Sequence, residues 1–559
     1  MLPDDVLLKM FDFHVTEDFR PCEKQRIEEW ITLAHVCRRW RTVVFQSPQR
    51  LNLQLLCTPK TPARDSLNIW PHFPLIVSVA HHIFEDKPSS VDNIIAALEH
   101  NDRVCQIKLE YRTSSQFQHV TNSAAMQKPF PELTDLRLGE FVYAGLESIL
   151  PNSFLGGIAP RLRSLSLYHV PFPGLPKLLL SATHLVNLDL DGIPRSGYIP
   201  PEAMASSLSA LTSLESFYIE FRYPPPRALE SRRPPPRLLT RSILPNLTKT
   251  RFKGASAYLE EILAQIDAPR LDELNITFFN QIIFDTPQLF QFISRRPTLR
   301  SQLKCHITFN SKAVLVKFPS RGSNYGALSV LVPCTMSEWQ VSSLEQVCSS
   351  SLPPLSTLED LYIFDDRGHP LNGQDDVENA QWLDLLRPFV AVENLYLCKK
   401  FVPRIAPALR ELVGGRTTEV LASLKNIFLE GPPRRPVRPL HEGIAKFVAA
   451  RGLTNRSVEV SHWARDSKEA FFASPEPEPA SFVGVLRHSS LRTTRTRMGT
   501  RSLDGRSRFR LAIPGVLDTV PIHCDSFVCK PGPEGVGKHT HGAGVNTAVQ
   551  AFITTKTTV

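Results

Sequence analysis

The chain has 559 residues, of which 42% are hydrophobic, so its length allows roughly two to four domains with sizeable cores. Its 64 Lys and Arg residues exceed its 55 Asp and Glu residues, which gives a net charge of +9. Much of this excess lies in residues 465–559, which carry 13 basic and 8 acidic side chains. The charge therefore does not indicate nucleic-acid binding by the main body of the chain.

Neither a secretory leader nor a disulfide framework is indicated. The ten cysteines have no regular spacing, which favours reduced thiols in an intracellular protein. Met1 is followed by Leu-Pro-Asp-Asp, and no apolar run approaches the ~18 residues that a membrane span needs. We expect a cytoplasmic or nuclear protein with no membrane partner, no cofactor and no bound metal.

The N-terminal residues predict a short amphipathic helix. Pro3 lies near its first turn, and Asp4 and Asp5 lie at the positive end of the helix dipole. An apolar stripe follows at helical spacing, formed by Val6, Leu7, Met10 and Phe11. A helix this short must pack against a neighbour to be stable.

The stretch Leu33–Arg41, LAHVCRRWR, predicts a second helix. One helical face carries Leu33, Val36, Cys37 and Trp40. We interpret Cys37 as a small buried apolar residue, because free cysteine is commonly buried. The helix should end near Gln46, since Pro48 disfavours helical backbone at the residue before it.

These two stretches resemble the F-box, in a variant found in large families of fungal proteins. The family pattern is a Leu-Pro start and an apolar helix, then a Val-Cys-basic-basic-Trp helix, and here it covers residues 1–50. The connection Asp12–Glu29 is longer than usual for the family. The alternative is an ordinary amphipathic helix with an aromatic anchor. The resemblance implies docking on a Skp-type adaptor of a cullin–RING ubiquitin ligase through Leu2, Pro3, Val6, Leu7, Val36, Cys37, Arg38, Trp40 and Val44.

An internal repeat dominates residues 101–463, whereas residues 51–100 are interpreted as a connecting segment or N-terminal cap with a strand at Leu51–Leu56. A unit with apolar residues at positions one, four and six recurs at intervals of 23 to 34 residues, with a gap between Phe278 and Pro353. The pattern L-x-x-L-x-L resembles the leucine-rich repeat, which implies an α/β solenoid of parallel strands alternating with helices or loops. The alternative is a generic α/β protein with leucine-rich strands. The copies are Val104–Leu109, Leu133–Leu138, Leu162–Leu167, Leu185–Leu190, Leu214–Ile219, Leu247–Phe252 (with Thr250 in place of leucine), Leu271–Ile276, Leu358–Ile363, Val392–Leu397 and Leu424–Leu429.

Helices are predicted between several of the strands, at Pro176–Leu185, Ala255–Ile266, Thr286–Arg295, Asn379–Phe389 and Pro439–Arg451. In the gap, Gln302–Phe309 and Ala327–Pro333 are candidate degenerate strands.

The third and fifth residues of each unit should point away from the core, onto the concave face of a solenoid. Aromatic residues at these positions would be anchors for a partner, although strands favour aromatic residues on structural grounds as well. The candidate target-binding residues are Asp135, Asp189, Tyr218, Tyr362, Tyr396 and Phe428.

Two segments are expected to lie outside this repeat. Tyr223–Arg237 is rich in Pro and Arg, which favours an exposed loop or a polyproline ligand. Residues 464–559 predict a disordered tail, in which Leu486–Arg510 holds eight Arg and one Asp. That stretch is a solvated tail, a nuclear address, a nucleic-acid-binding segment or an artefact of gene prediction.

No catalytic motif is present in the chain. Gly532–His539 resembles a P-loop but lacks the Ser or Thr that holds Mg²⁺, and the nearby His and Cys residues fit no common zinc spacing. We therefore expect a non-catalytic target receptor that binds a Skp-type adaptor, through it a cullin, and an unidentified protein substrate. The alternatives are a ligase-independent repeat scaffold and a nucleic-acid-binding protein acting through its Arg-rich tail, although nucleic acid is not the expected partner.

Overall fold

In the computed structural model, the described residues lie in the unit Met1–Pro477, and the second unit, Glu478–Val559, lies outside them. The predicted tail 464–559, with its Arg-rich stretch and the motif at Gly532–His539, is therefore not described, nor is most of the Pro- and Arg-rich segment. The described residues are 2–16, 23–48, 50–69, 72–79, 89–111, 113–140, 147–224, 241–279, 284–300, 302–319, 327–334, 337–350, 352, 355–365, 377–413, 416–431, 441–453 and 457–463.

The helices alternate with the strands along most of the chain. The α-helices are α1 Asp4–Thr16, α2 Glu23–Val36, α3 Arg38–Gln46, α4 Ala63–Ile69, α5 Ser89–Leu98, α6 Ser114–Thr121, α7 Leu175–Ser181, α8 Pro201–Ser209, α9 Ser256–Gln265, α10 Pro287–Ser294, α11 Pro297–Arg300, α12 Ser337–Ser350, α13 Asn379–Leu386, α14 Val402–Glu411 and α15 Glu442–Leu453. Short 3₁₀ turns lie at Ala125–Gln127, Phe154–Gly157, Arg195–Gly197 and Leu355–Thr357.

The strands are short, as expected for a repeat unit. They are β1 Leu55–Cys57, β2 Leu75–Val79, β3 Val104–Tyr111, β4 Asp135–Glu140, β5 Ser164–Tyr168, β6 Asn187–Ile193, β7 Ser216–Phe221, β8 Ser242–Ile243, β9 Lys249–Gly254, β10 Ile266–Asp267, β11 Glu273–Phe278, β12 Lys304–Phe309, β13 Ala313–Phe318, β14 Leu328–Pro333, β15 Asp360–Asp365, β16 Asn394–Leu397, β17 Asn426–Glu430 and β18 Glu459–Trp463.

One sheet of sixteen described strands runs through the unit. Its order is β1-β2-β3-β4-β5-β6-β7-β9-β11-β14-β13-β12-β15-β16-β17-β18, while β8 and β10 form a separate parallel pair. Neighbouring strands are parallel except where β13 pairs with β12 and β14. The long parallel sheet with intervening helices confirms the predicted α/β class and is consistent with a repeat solenoid.

All ten predicted repeat units contain a strand, and the predicted helices are confirmed to within a few residues. In nine units the strand begins at the third residue, because the first leucine lies in the turn before it; Leu133, Leu162 and Leu185 are each fully buried there. The strand expected at Leu51–Leu56 begins only at Leu55, since the chain turns at residues 50–52.

A three-stranded meander fills the gap in the repeat. The candidate strands at Gln302–Phe309 and Ala327–Pro333 are confirmed as β12 and β14, and a strand that the pattern did not predict, β13, lies antiparallel between them. Since β14 pairs with β11 and β12 pairs with β15, the meander joins the strands on either side into one sheet.

The apolar positions of the units lie on one face of the sheet and pack against the helices. Leu136, Leu165, Leu188 and Phe217 are neighbours in register on consecutive strands and are at most 2% exposed. Helix residues such as Leu208 join the same core, which extends from α1 to the last strands. The opposite face, which we call the open face, carries the third and fifth residues of the units.

The predicted helix Leu33–Arg41 is wrong in one respect, because the chain breaks between α2 and α3 at Cys37. The backbone of Cys37 is extended (φ −158°, ψ 168°), and its Sγ accepts a hydrogen bond from Trp40 N at 3.4 Å. Cys37 is therefore the exposed N-cap of α3 rather than the buried residue that the helical spacing suggested.

Candidate functional site

Helix α1 carries apolar residues on two sides. Leu7, Leu8 and Phe11 are buried in the core. On the other side, Val6 and Met10 lie four residues apart and are 39% and 49% exposed, and Leu2, which precedes the helix, is 50% exposed. We call Leu2, Val6 and Met10 the outer stripe of α1. Large apolar side chains grouped on one exposed helix side are typical of an interaction surface.

Aromatic contacts hold the three N-terminal helices together and attach them to the sheet. The Phe11 and Trp40 rings meet edge to face at 4.8 Å, which joins α1 to α3. Trp30 of α2 packs on Phe73 at 5.5 Å and donates its Nε1–H to the carbonyl oxygen of Gln54, beside β1. The N-terminal helices therefore pack on the first strand instead of forming an independent bundle.

The break between α2 and α3 exposes a further apolar residue beside a basic cluster. Val36 is 59% exposed, and the basic residues near it in the sequence, His35, Arg38 and Arg41, are exposed as well. Arg39 donates from Nη2 to the carbonyl oxygen of Leu2 and to Asp4 Oδ1, the latter at 2.6 Å. This contact brings the start of α1 to the start of α3.

Most of the predicted adaptor-binding residues lie on the surface. Leu7 and Val44 are core residues, 3% and 0% exposed, and Trp40 is half-buried on Phe11. These three residues therefore stabilise the helices, and the available surface is formed by Leu2, Pro3, Val6, Val36, Cys37 and Arg38. Met10 and Arg39 were not predicted; helical spacing pointed to Met10, but no sequence signal indicates the contact of Arg39 with residues 35 and 37 positions away.

Five of the six predicted target-binding residues belong to one row of paired residues across the open face. The row crosses fifteen described strands in register, including the antiparallel meander. In spatial order it consists of Ser78, Lys108, Arg137, Ser166, Asp189, Tyr218, Arg251, Asn275, Ser329, Lys317, His306, Tyr362, Tyr396, Phe428 and Ser461. Asp135 lies on the same face in β4, two residues before Arg137.

The part of the open face on β3–β9, which we call the polar part, combines both signs of charge. Arg137 Nε lies 2.7 Å from Glu110 Oε1, and the Arg251 guanidinium lies over the Tyr218 ring at 4.9 Å. Burial, and secondarily the carboxylate of Asp191, raises the pKa of both Asp189 and Glu220. Glu220 and Lys253 were not predicted, because each lies one residue beyond a six-residue unit. The alternation of the strand places them on the same face as the fifth position.

The other end of the row, which we call the aromatic part, is packed against itself. Tyr362 stacks on Tyr396 at 4.1 Å and Tyr396 stacks on Phe428 at 4.4 Å, with ring planes 8° apart in each pair. Trp463 meets Tyr396 edge to face at 5.7 Å. As a result, Tyr362 and Tyr396 are only 3% and 7% exposed, whereas Tyr218 and Phe428 are half-buried.

Polar side chains form a second ladder beside the stacked rings. Asn426 Nδ2 donates to Asn394 Oδ1, and Asn394 Nδ2 donates to Asp360 Oδ1, each at 2.8 Å. The polar side chains therefore bond to one another along β15–β17, beside the stacked rings, as expected for an ordered stack of equivalent repeat positions.

The described parts of the chain contain no group of three or more His, Cys, Asp or Glu side chains placed to hold a metal ion. None of their helices has the length and apolar character needed to cross a membrane.

The chain matches no known protein family and no curated protein. Among solved structures it is similar to the leucine-rich repeat-containing protein LegL7 from Legionella pneumophila, with 14% identity. That similarity covers 72% of this chain and 98% of LegL7, with a TM-score of 0.24.

Proposed function

We propose that the protein is the target-recognition subunit of a Skp–cullin–F-box ubiquitin ligase, in which α1–α3 bind a Skp-type adaptor. The observation that carries this proposal is the outer stripe of α1, Leu2, Val6 and Met10. The residues around it are those that resemble the F-box. An apolar stripe with a spacing of four residues suits a groove between helices of a partner.

The surroundings of Val36 support a particular partner chemistry. Arg38 and Arg41 follow it closely in the sequence and are exposed, so a partner that covers Val36 would gain from carboxylates at the rim of its groove. We therefore expect the adaptor surface to be apolar at its centre and acidic at its edge.

We further propose that the polar part of the open face binds the target protein. Asp135, Asp189 and Tyr218 remain partly exposed there, whereas Tyr362 and Tyr396 are buried in their own stack and offer little surface. The chain itself would then do no chemistry. It would raise the effective concentration of ligase at the target by holding both.

The outer stripe and Val36 can be tested without disturbing the core. We expect Val6→Ser and Val36→Ser each to weaken binding of a purified Skp-type adaptor about tenfold, because each removes roughly 1.5 kcal/mol of apolar burial. The double variant should lose about a hundredfold. Titration calorimetry on the full chain measures the affinity, and circular dichroism checks the fold.

The matched control is Leu180→Ser on α7, which removes an apolar side chain that is 54% exposed but lies outside α1–α3. Its affinity for the adaptor should equal that of the wild type. An unchanged affinity in the double variant would contradict the docking surface. Failure of the folded wild-type protein to bind the adaptor would overturn the ligase proposal and favour the ligase-independent scaffold.

A further inference from the structure

Arg39 makes a contact that the function described so far does not explain. Its Nη2 donates to the Leu2 carbonyl oxygen and to Asp4 Oδ1, and so joins the α3 start to the α1 start. The Arg39 side chain is 39% exposed and the Asp4 side chain is 60% exposed. An exposed ion pair contributes little to the stability of a whole domain, so stabilisation of the fold does not account for this contact.

The first turn of α1 is a place where a small free energy matters. Pro3 O accepts hydrogen bonds from Val6 N at 3.2 Å and from Leu7 N at 3.1 Å, and Leu2 lies outside the helix, which begins at Asp4. Helix ends open at almost no cost in free energy. A contact that holds the Leu2 carbonyl in place therefore sets the fraction of molecules in which Leu2 and Val6 are both positioned for a partner.

We infer that Arg39 is a positioning residue, which clamps the α1 start so that the outer stripe is preformed for its partner. This inference rests on the proposed docking of α1–α3 and names the residue that sets its association rate. When only a fraction of molecules holds the binding-competent form, the apparent affinity falls by that fraction. Arg39 does not need to touch the partner to have this effect.

The test compares two pairs of variants of the full chain by measuring association and dissociation rates with a Skp-type adaptor. Arg39→Ala should lower the association rate about two- to fivefold and leave the dissociation rate unchanged. Arg64→Ala is the matched control, because it removes the same charge from an exposed side chain of α4, outside the docking surface, and leaves the clamp in place. It should change the association rate less.

Because the expected partner surface is acidic, Asp4→Ala separates the clamp from simple charge steering, since the two predict opposite changes in the association rate. Asp4→Ala removes a negative charge, so steering towards an acidic partner would raise the association rate, whereas loss of the clamp lowers it. Asp5→Ala removes the same charge from the same turn without touching Arg39 and should not lower it. Arg39→Lys keeps the charge and N–H donors for both the Leu2 carbonyl and Asp4, so it should retain more of the association rate than Arg39→Ala does.

A second readout is independent of the adaptor. Amide hydrogen exchange at Val6 and Leu7 should be faster in Arg39→Ala and in Asp4→Ala than in the two control variants. Equal exchange in all four variants would overturn the clamp even if the adaptor binds normally. A change confined to the dissociation rate would overturn it too, because Arg39 would then contact the adaptor directly. Faster exchange without any adaptor binding would support the clamp and refute the proposed function alone.

Discussion

Thr250 occupies a core position that its neighbours in register, Phe217 and Leu274, fill with larger apolar side chains. A cavity of about 20 Å³ lies beside it, lined by apolar groups. The Thr250 hydroxyl is buried and has no hydrogen-bond partner among the described residues. A water would find too few polar partners there to compensate for the missing bond.

We expect Thr250→Val to stabilise the protein by about 1 kcal/mol, because valine has the same shape and removes the unsatisfied hydroxyl. Thr248→Val is the matched control. Its hydroxyl donates to the Glu215 carbonyl at 3.1 Å, so its loss should destabilise the protein or leave it unchanged. The midpoints of thermal unfolding measure both effects. A lower midpoint for Thr250→Val would mean that the hydroxyl is satisfied in solution.

At the residue scale, the sequence predicted which face of the sheet a side chain points to better than it predicted how deeply that side chain is buried. Alternation placed Tyr362 and Tyr396 on the open face, but their exposure depends on neighbours 34 and 32 residues away that stack on them. The same limit applies to α1, where Val6 and Leu7 belong to one predicted stripe. Packing of the neighbouring helices separates them, and Leu7 is buried while Val6 remains exposed.

A side chain of another helix caps the first turn of α10. Glu260 of α9 accepts hydrogen bonds from Gln288 N at 2.7 Å and from Leu289 N at 2.8 Å, which satisfies two N–H groups of the first turn. Burial nevertheless raises the pKa of Glu260 to about 7, against the opposing effect of these two bonds. The folded protein therefore holds the proton more tightly than the unfolded chain does.

The stability of the folded protein should therefore fall as the pH rises. The stabilisation from protonated Glu260 is fully present below the unfolded pKa of about 4.5 and is lost as pH rises through about 7. Between pH 5 and pH 8 we expect Glu260 to reduce the stability by about 2 kcal/mol. Glu260→Gln should abolish most of that difference, whatever its stability at one pH. Chemical denaturation at both pH values measures it.

The control for the lost charge is Glu202→Gln, which changes an exposed residue of α8. It should retain the pH dependence of the wild type. If Glu260→Gln retains it as well, the carboxylate is ionised in the folded state and its two hydrogen bonds outweigh its burial.

At the element scale, strands that follow the L-x-x-L-x-L rule were predictable, because each unit buries its own apolar residues in the same way. β13 was not, since its residues Ala313–Phe318 pair antiparallel with strands outside the repeat. The break at Cys37 was missed because apolar spacing continues across it. The extended backbone there lets Cys37 Sγ cap the first turn of α3, a role that apolar spacing does not indicate.

At the scale of the whole unit, each strand of the sheet pairs only with its immediate neighbours. Stability in such an array is approximately a sum of unit and nearest-neighbour contributions, so damage should spread only over short distances. The meander β12–β14 stands between β1–β11 and β15–β18 and has a different pairing from both. We therefore expect the two parallel arrays to respond separately to substitution.

Tyr396→Ala is the sharpest test, because it empties the middle of the aromatic stack and should cost about 3 kcal/mol or more. Hydrogen exchange followed by mass spectrometry should become faster in peptides from residues 360–463 and stay unchanged in peptides from residues 104–221. Tyr218→Ala, the same change at the same position of the row in the polar part, should give the converse pattern. Equal acceleration in both regions, in either variant, would mean that the meander transmits stability and that the sixteen strands unfold as one unit.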